Sequence, residues 1–167
     1  HPLSLNAYKL RGGILPRTPP SVQVKDVGPG KVCQGKDWTV TAALAEHVQP
    51  WLDSLAYRLD SNQGSIVVTG DTRPCKSVLD LAKGSDVLVC LCVAAQSEIE
   101  GTPEEEYMCG STAAATMAQE AGAKKLVLVH QKHTIDEPGA TERVIADITK
   151  VYDGSIIWGN ELMELDV

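Results

Sequence analysis

Residues 65–74 read Ser-Ile-Val-Val-Thr-Gly-Asp-Thr-Arg-Pro. Their centre, Ile66-Val67-Val68, is β-branched and continuously apolar, the pattern of a strand covered on both faces, and the run stops at Gly70-Asp71. A helix is predicted over Pro74–Lys83, with Pro74 in its first turn, Cys75, Val78, Leu81 and Ala82 on one stripe, and Gly84 just past its end. A strand that ends in a carboxylate and gives way at once to a helix is a building unit of a layered α/β domain.

Upstream, the alternation from Trp38 to Ala45 and from Leu55 to Asp60 predicts two strands, and the turn Ser61-Asn62-Gln63-Gly64 makes a hairpin into the central run. Residues 1–35 are rich in Gly and Pro, with one alternating stretch, Ser21–Val27, that could form a strand. They read as a connecting arm that contacts a partner, leaving 36–167 as the folded unit. Downstream, Asp86–Val93 is a second continuous apolar strand, and Gln96–Tyr107 is irregular, with Glu104-Glu105-Glu106 a solvated face. Ser111 is placed to cap a helix carrying Ala114, Met117, Ala118 and Ala121 on one face and ending at Gly122. A buried strand over Lys125–Val129, a helix over Thr141–Val151 and two short strands, Ser155–Trp158 and Glu161–Asp166, complete the pattern.

With 167 residues the chain amounts to one domain or part of one, and 43% hydrophobic against 22% charged residues is ordinary for a globular protein. No apolar run is long enough to cross a bilayer, so no membrane partner is expected. A net charge of −7 would on average repel phosphate, and the expectation is no nucleic-acid partner. Five cysteines without a close-spaced framework suggest reduced thiols and a cytoplasmic setting.

Three polar residues share a position: His47 follows the first strand, Asp71 the third, and His130 the strand Lys125–Val129. Side chains from neighbouring strand ends can converge on one edge of a sheet, and a carboxylate with two imidazoles is a natural donor set for zinc. The residues alone leave open that His47 belongs to a surface turn, that Asp71 caps the following helix, and that His130 merely ends a strand. Cys90 and Cys92 read as core thiols. Cys109 is a candidate to line a pocket, and His133 a candidate for an outer-shell or substrate contact. Arg58 reads as a solvated strand residue.

The ordered combination of Glu46-His47, Leu55-Ala56-Tyr57-Arg58-Leu59, Gly70-Asp71-Thr72, Leu79 to Val89, Gly110-Ser111-Thr112 and Ala121 to His130 resembles the metallo-β-lactamase superfamily. The likeness is strongest to its branch of ribonuclease Z and arylsulfatase-type hydrolases, and it covers the chain from about Gln23 onward. The fold it implies is the C-terminal half of an αββα sandwich. The resemblance also implies zinc, two per complete site, with His47 on one ion, His130 on the other, and Asp71 as the bridging, catalytic carboxylate. A hydroxide held there would attack a carbonyl, phosphoryl or sulfuryl centre. Two departures accompany the likeness. The family's His-x-His-x-Asp-His segment is absent, so a second chain or N-terminal fragment is expected to complete the fold, giving an oligomer. In addition, Cys109 lies where the ribonuclease branch has a His before Ser-Thr, and Cys90-Leu91-Cys92-Val93-Ala94 replaces its His-Glu-Ala-Thr-Phe. Those substitutions favour a small-molecule ester, lactone, sulfate or phosphate over tRNA. The alternative is a non-catalytic binding or structural subunit that retains half of the fold.

Overall fold

The computed structural model describes residues 2–16 and 23–167. Among these residues seven strands form one sheet in sequence order: β1 (Gly30–Gln34), β2 (Trp38–Ala45), β3 (Ser54–Ser61), β4 (Gly64–Val68), β5 (Val87–Leu91), β6 (Lys125–Val129) and β7 (Ser155–Trp158). The first four pair antiparallel, and β4 to β7 run parallel. Each parallel step needs a crossover. Helix α2 (Lys76–Ala82) supplies the first, a short α3 (Gln96–Ile99) with α4 (Ser111–Ala121) the second, and α5 (Ala140–Ile148) the third. An N-terminal helix, α1 (Pro2–Leu10), precedes the sheet.

The register assigns every strand residue to a face. Ala56, Val67, Leu88, Cys90, Leu126 and Leu128 point the same way and pack with Val78 and Ala82 of α2, Ala114 and Ala118 of α4, and Val144 and Ile148 of α5 into one core. The opposite face is apolar as well, carrying Leu44, Tyr57, Leu59, Ile66 and Val68. Among the described residues no helical layer covers it, and Leu44 (48%), Val68 (44%), Tyr57 (38%) and Leu59 (36%) remain exposed. The central strand is therefore covered on one face only, whereas its apolar run had implied cover on both.

Other departures have local causes. Residues 23–28 form no strand, and the part of that expectation at Ser21 and Val22 lies outside the described residues. The edge strand forms instead at Gly30–Gln34, where Gly35 N–H donates to Trp38 O (2.9 Å) and closes a tight turn onto β2. Glu161–Asp166 forms no strand either. Its apolar Met163 and Leu165 lie beside Val127 and Val129 on the open sheet face, and Lys125 Nζ donates to Asp166 O (2.5 Å). Ser111 is the first residue of α4 rather than its cap, a position taken by Gly110. The Ser111 hydroxyl, wholly buried, accepts from Gln96 N–H (2.8 Å) and donates to Asp147 Oδ2 (2.9 Å), tying α3, α4 and α5 together. Arg58 is not simply solvated: its Nη1 donates to Leu81 O (2.9 Å) and Lys83 O (2.8 Å), satisfying carbonyls at the end of α2. Among the described residues no helix is long and apolar enough to cross a membrane.

Candidate metal centre

The turn after β4 is fastened to the end of β2, and this fastening places Asp71. Thr72 is fully buried, and its Oγ1 accepts from Glu46 N–H (3.0 Å). Arg73 N–H donates to Glu46 O (2.7 Å), and the Arg73 guanidinium pairs with the Glu46 carboxylate (2.6 Å). Gly70, at φ +62, supplies the left-handed bend, and a Cβ there would stand 3.3 Å from Leu55 O. The outcome is that Asp71 faces His47, the residue following Glu46.

His47 is fixed at its other nitrogen. Nδ1 lies 2.8 Å from Tyr107 O, and because a carbonyl only accepts, Nδ1 carries the proton. Nε2 is then the lone-pair nitrogen, 4.0 Å from Asp71 Oδ2. The Tyr107 ring meets the imidazole edge-on, with centroids 5.7 Å apart. On the other side His130 Nε2 is 3.6 Å from Asp71 Oδ1. His130 adopts φ 63, a left-handed conformation unusual for a residue with a Cβ. Thus the fold brings together His47, Asp71 and His130 from the ends of β2, β4 and β6, and the two carboxylate oxygens are divided between the two imidazoles. Among the described residues no group of three His, Cys, Asp or Glu side chains gathers around a single point that could hold one ion.

The remaining candidates stand apart. Cys109 is fully buried, its thiol donating to Gly110 O (3.6 Å), so the expectation that it lines a pocket is corrected. Its hydrogen bond with the Cys90 thiol, followed by burial, pushes its pKa well above the ordinary thiol range, and burial takes Cys92 up to about 12. These thiols stay protonated in the core. His133 is exposed at the start of a 3-10 turn (His133–Asp136) beyond β6. The residue directly before Ser111 is Gly110, where a Cβ would stand 2.6 Å from Gln96 Oε1 and 2.9 Å from Ile99 Cδ1. A larger residue at that position would require the Gln96 and Ile99 side chains to shift. Tyr107 was missed in the sequence because its role is carried by a backbone carbonyl, which any residue possesses.

No family model matches the chain. A protein of Mycobacterium tuberculosis (strain CDC 1551 / Oshkosh), provisionally assigned as ribonuclease Z, is 30% identical over 156 residues, which make up 90% of this chain and 68% of that protein. Ribonuclease Z of the H37Rv strain is likewise 30% identical over 156 residues, covering 90% of this chain and 56% of its own length. Among solved structures, the metallo-β-lactamase fold protein YhfI of Bacillus subtilis matches with a TM-score of 0.65 at 22% identity, over 78% of this chain and 49% of that one. Zn²⁺-bound PqqB of Methylobacterium extorquens matches with a TM-score of 0.57 at 12% identity, over 81% of this chain and 53% of that one. The chain belongs to the metallo-β-lactamase-fold superfamily, in the branch that holds ribonuclease Z. It spans between about half and two thirds of the length of these relatives. They overturn the expectation that excluded nucleic acid and confined the substrate to small molecules, since a ribonuclease acts on RNA. That expectation rested on net charge, an average over the whole surface, whereas RNA is recognised locally by shape and individual contacts.

Proposed function

We propose that this chain forms one side of the centre of a metal-dependent hydrolase, with His47 and His130 each a ligand to a different cation and Asp71 shared between them. The observation that carries the reading is the division of Asp71, with Oδ1 toward His130 Nε2 and Oδ2 toward His47 Nε2. A carboxylate split in this way suits two ions better than one. His47 adds a second fit, because its proton is committed to Tyr107 O and its Nε2 lone pair is free to bind. Imidazole nitrogen with carboxylate oxygen suits zinc, two ions per complete site. Bound there, such cations supply Lewis acidity and a water acidic enough to ionise near neutral pH.

From this chain each cation would receive one imidazole nitrogen and one carboxylate oxygen, fewer than the four donors zinc usually takes. The remaining ligands would come from a His-x-His-x-Asp-His segment elsewhere in the protein or on another chain, seated on the open sheet face. The bond cleaved is of the ester type, whether carboxylic ester, lactone, sulfate or phosphate, with the phosphodiester of RNA included by the relatives' activity. The test is Asp71→Ala in the complete assembly, read by metal content and by hydrolysis of RNA and of bis(p-nitrophenyl) phosphate. Loss of bound zinc together with a fall of at least about a hundredfold in turnover is expected. An Asp71→Ala protein with unchanged activity would sink the proposal, and a folded, metal-free, inactive wild-type assembly would favour a purely structural subunit.

A further inference from the structure

We propose that Glu104 and Lys132 are positioning residues that brace His47 and His130 against their common carboxylate, a role that rests on the metal-centre reading above. Neither touches Asp71. Each acts through the backbone that carries an imidazole.

On the His47 side, the carbonyl that fixes the ring belongs to Tyr107, at the end of the 3-10 turn Pro103–Glu106. That carbonyl is held in place because Tyr107 N–H (3.1 Å) and Met108 N–H (2.8 Å) both donate to Glu104 O. The segment is moored to the sheet at Val93, whose N–H donates to Cys109 O (3.0 Å). On the His130 side, Lys132 follows two residues later, and its N–H donates to the carbonyl of the same Val93 (2.9 Å). The Lys132 ammonium then pairs with the Glu104 carboxylate, closing the circuit between the two loops. The pair is about two thirds buried, with side chains 32% and 35% exposed, so solvent screens it less than an ordinary surface pair. A further sign that the His130 loop is held from outside is its backbone at φ 63, a conformation that persists where surrounding contacts over-determine it.

The brace has two consequences. With Tyr107 O in place, His47 keeps its proton on Nδ1 and turns Nε2 to Asp71; without it, either nitrogen can carry the proton. With Lys132 pinned at both its N–H and its Nζ, His130 cannot relax out of its left-handed turn and away from Asp71.

The experiment is long-range ¹H–¹⁵N NMR of the imidazole nitrogens in the metal-free protein, comparing wild type with Glu104→Gln, Lys132→Met and the reversed pair Glu104→Lys with Lys132→Glu. Wild type is expected to show His47 as the Nδ1–H tautomer. Glu104→Gln and Lys132→Met are expected to give averaged shifts of mixed tautomers, and the reversed pair to restore the wild-type pattern. Two single variants are used so that misfolding of one leaves the other informative. A His47 signal identical to wild type in whichever single variants remain folded overturns the proposal. Zinc titration of the same samples separates this proposal from the reading beneath it. If zinc shifts the wild-type His47 and His130 signals, Glu104→Gln should need about tenfold more zinc for the same shift. If the wild-type signals ignore zinc while the tautomer result holds, the metal reading falls and the brace stands.

Discussion

Replacing His130 by Gly should stabilise the chain while removing one of the two imidazoles that face Asp71. The reason lies in the backbone at φ 63. A residue with a Cβ held in the left-handed region costs about 1–2 kcal/mol, which Gly avoids, while Gly gives back about 0.5–1 kcal/mol through the greater freedom of its unfolded chain. The His130 side chain is 52% exposed, so little packing is lost with it. Glycine should therefore exceed alanine at this position by about 0.5–1 kcal/mol, and asparagine, which tolerates the conformation, should fall between them. The sign is the diagnostic part, since in an ordinary strand or helix interior Ala exceeds Gly by about the same amount. Urea unfolding of His130→Gly, His130→Ala and His130→Asn at matched pH measures the order directly. Alanine more stable than glycine by about 0.5 kcal/mol or more would refute the strained conformation. Were the order as expected, His130 would be held at a cost to stability, as ligands and catalytic groups often are.

Ser111→Ala removes a buried hydroxyl that accepts from Gln96 N–H and donates to the Asp147 carboxylate, so an equilibrium unfolding loss of about 2–3 kcal/mol is expected, against near-neutral behaviour for an uncoupled surface serine. Arg58→Met keeps the aliphatic stem but leaves Leu81 O and Lys83 O without their partner, and should cost about 1–3 kcal/mol, with earlier hydrogen exchange at the end of α2. Asp86 accepts from Lys124 Nζ and from the N–H and hydroxyl of Ser65, which together lower its pKa from 3.8 to about 2. Because the folded pKa is the depressed one, this stabilisation is present above about pH 4 and is lost as pH falls through about 2. Urea midpoints taken between pH 5 and pH 2 should therefore fall more steeply in wild type than in Asp86→Asn, and parallel curves would count against the assignment.

How much of this was legible in the sequence differs by feature. Strands β2 to β7 and helices α2, α4 and α5 follow from apolar periodicity and from punctuation by Gly70, Gly84 and Gly122, signals that act over a few residues, whereas α3 lies in the stretch Gln96–Tyr107 that reads as irregular. Convergence of His47, Asp71 and His130 on one edge was foreseeable from their place at strand ends, because parallel order sends those ends to the same side. Their spacing was not, since it depends on the buried Thr72 fastening the turn to Glu46, a contact across 26 residues. Arg58 and Ser111 misled for a related reason: a polar residue on a strand or at a helix start looks solvated until its distant acceptor is known. Cys109 looked available because it lies in a loop close to the expected metal edge, yet the chain turns inward there to reach Val93.

The open sheet face is where local patterning and the finished fold disagree most, and the disagreement is informative. Ile66-Val67-Val68 has the composition of a strand buried on both sides, but only Val67 is fully buried. Residues 159–167 answer part of that mismatch, because Met163 and Leu165 lie beside Val127 and Val129 on that face. Val127, beside them, is only 3% exposed. Over the antiparallel side, Leu44, Leu59 and Val68 together still expose somewhat more than one whole aliphatic side chain, so covering them is worth about 2–4 kcal/mol. That gain lies beside the same sheet edge from which His47 and Asp71 project, so a layer that covers this face is positioned to bring further ligands to the carboxylate. Hydrophobic cover and completion of the donor set would then be one event, and metal affinity should rise with whatever closes the face.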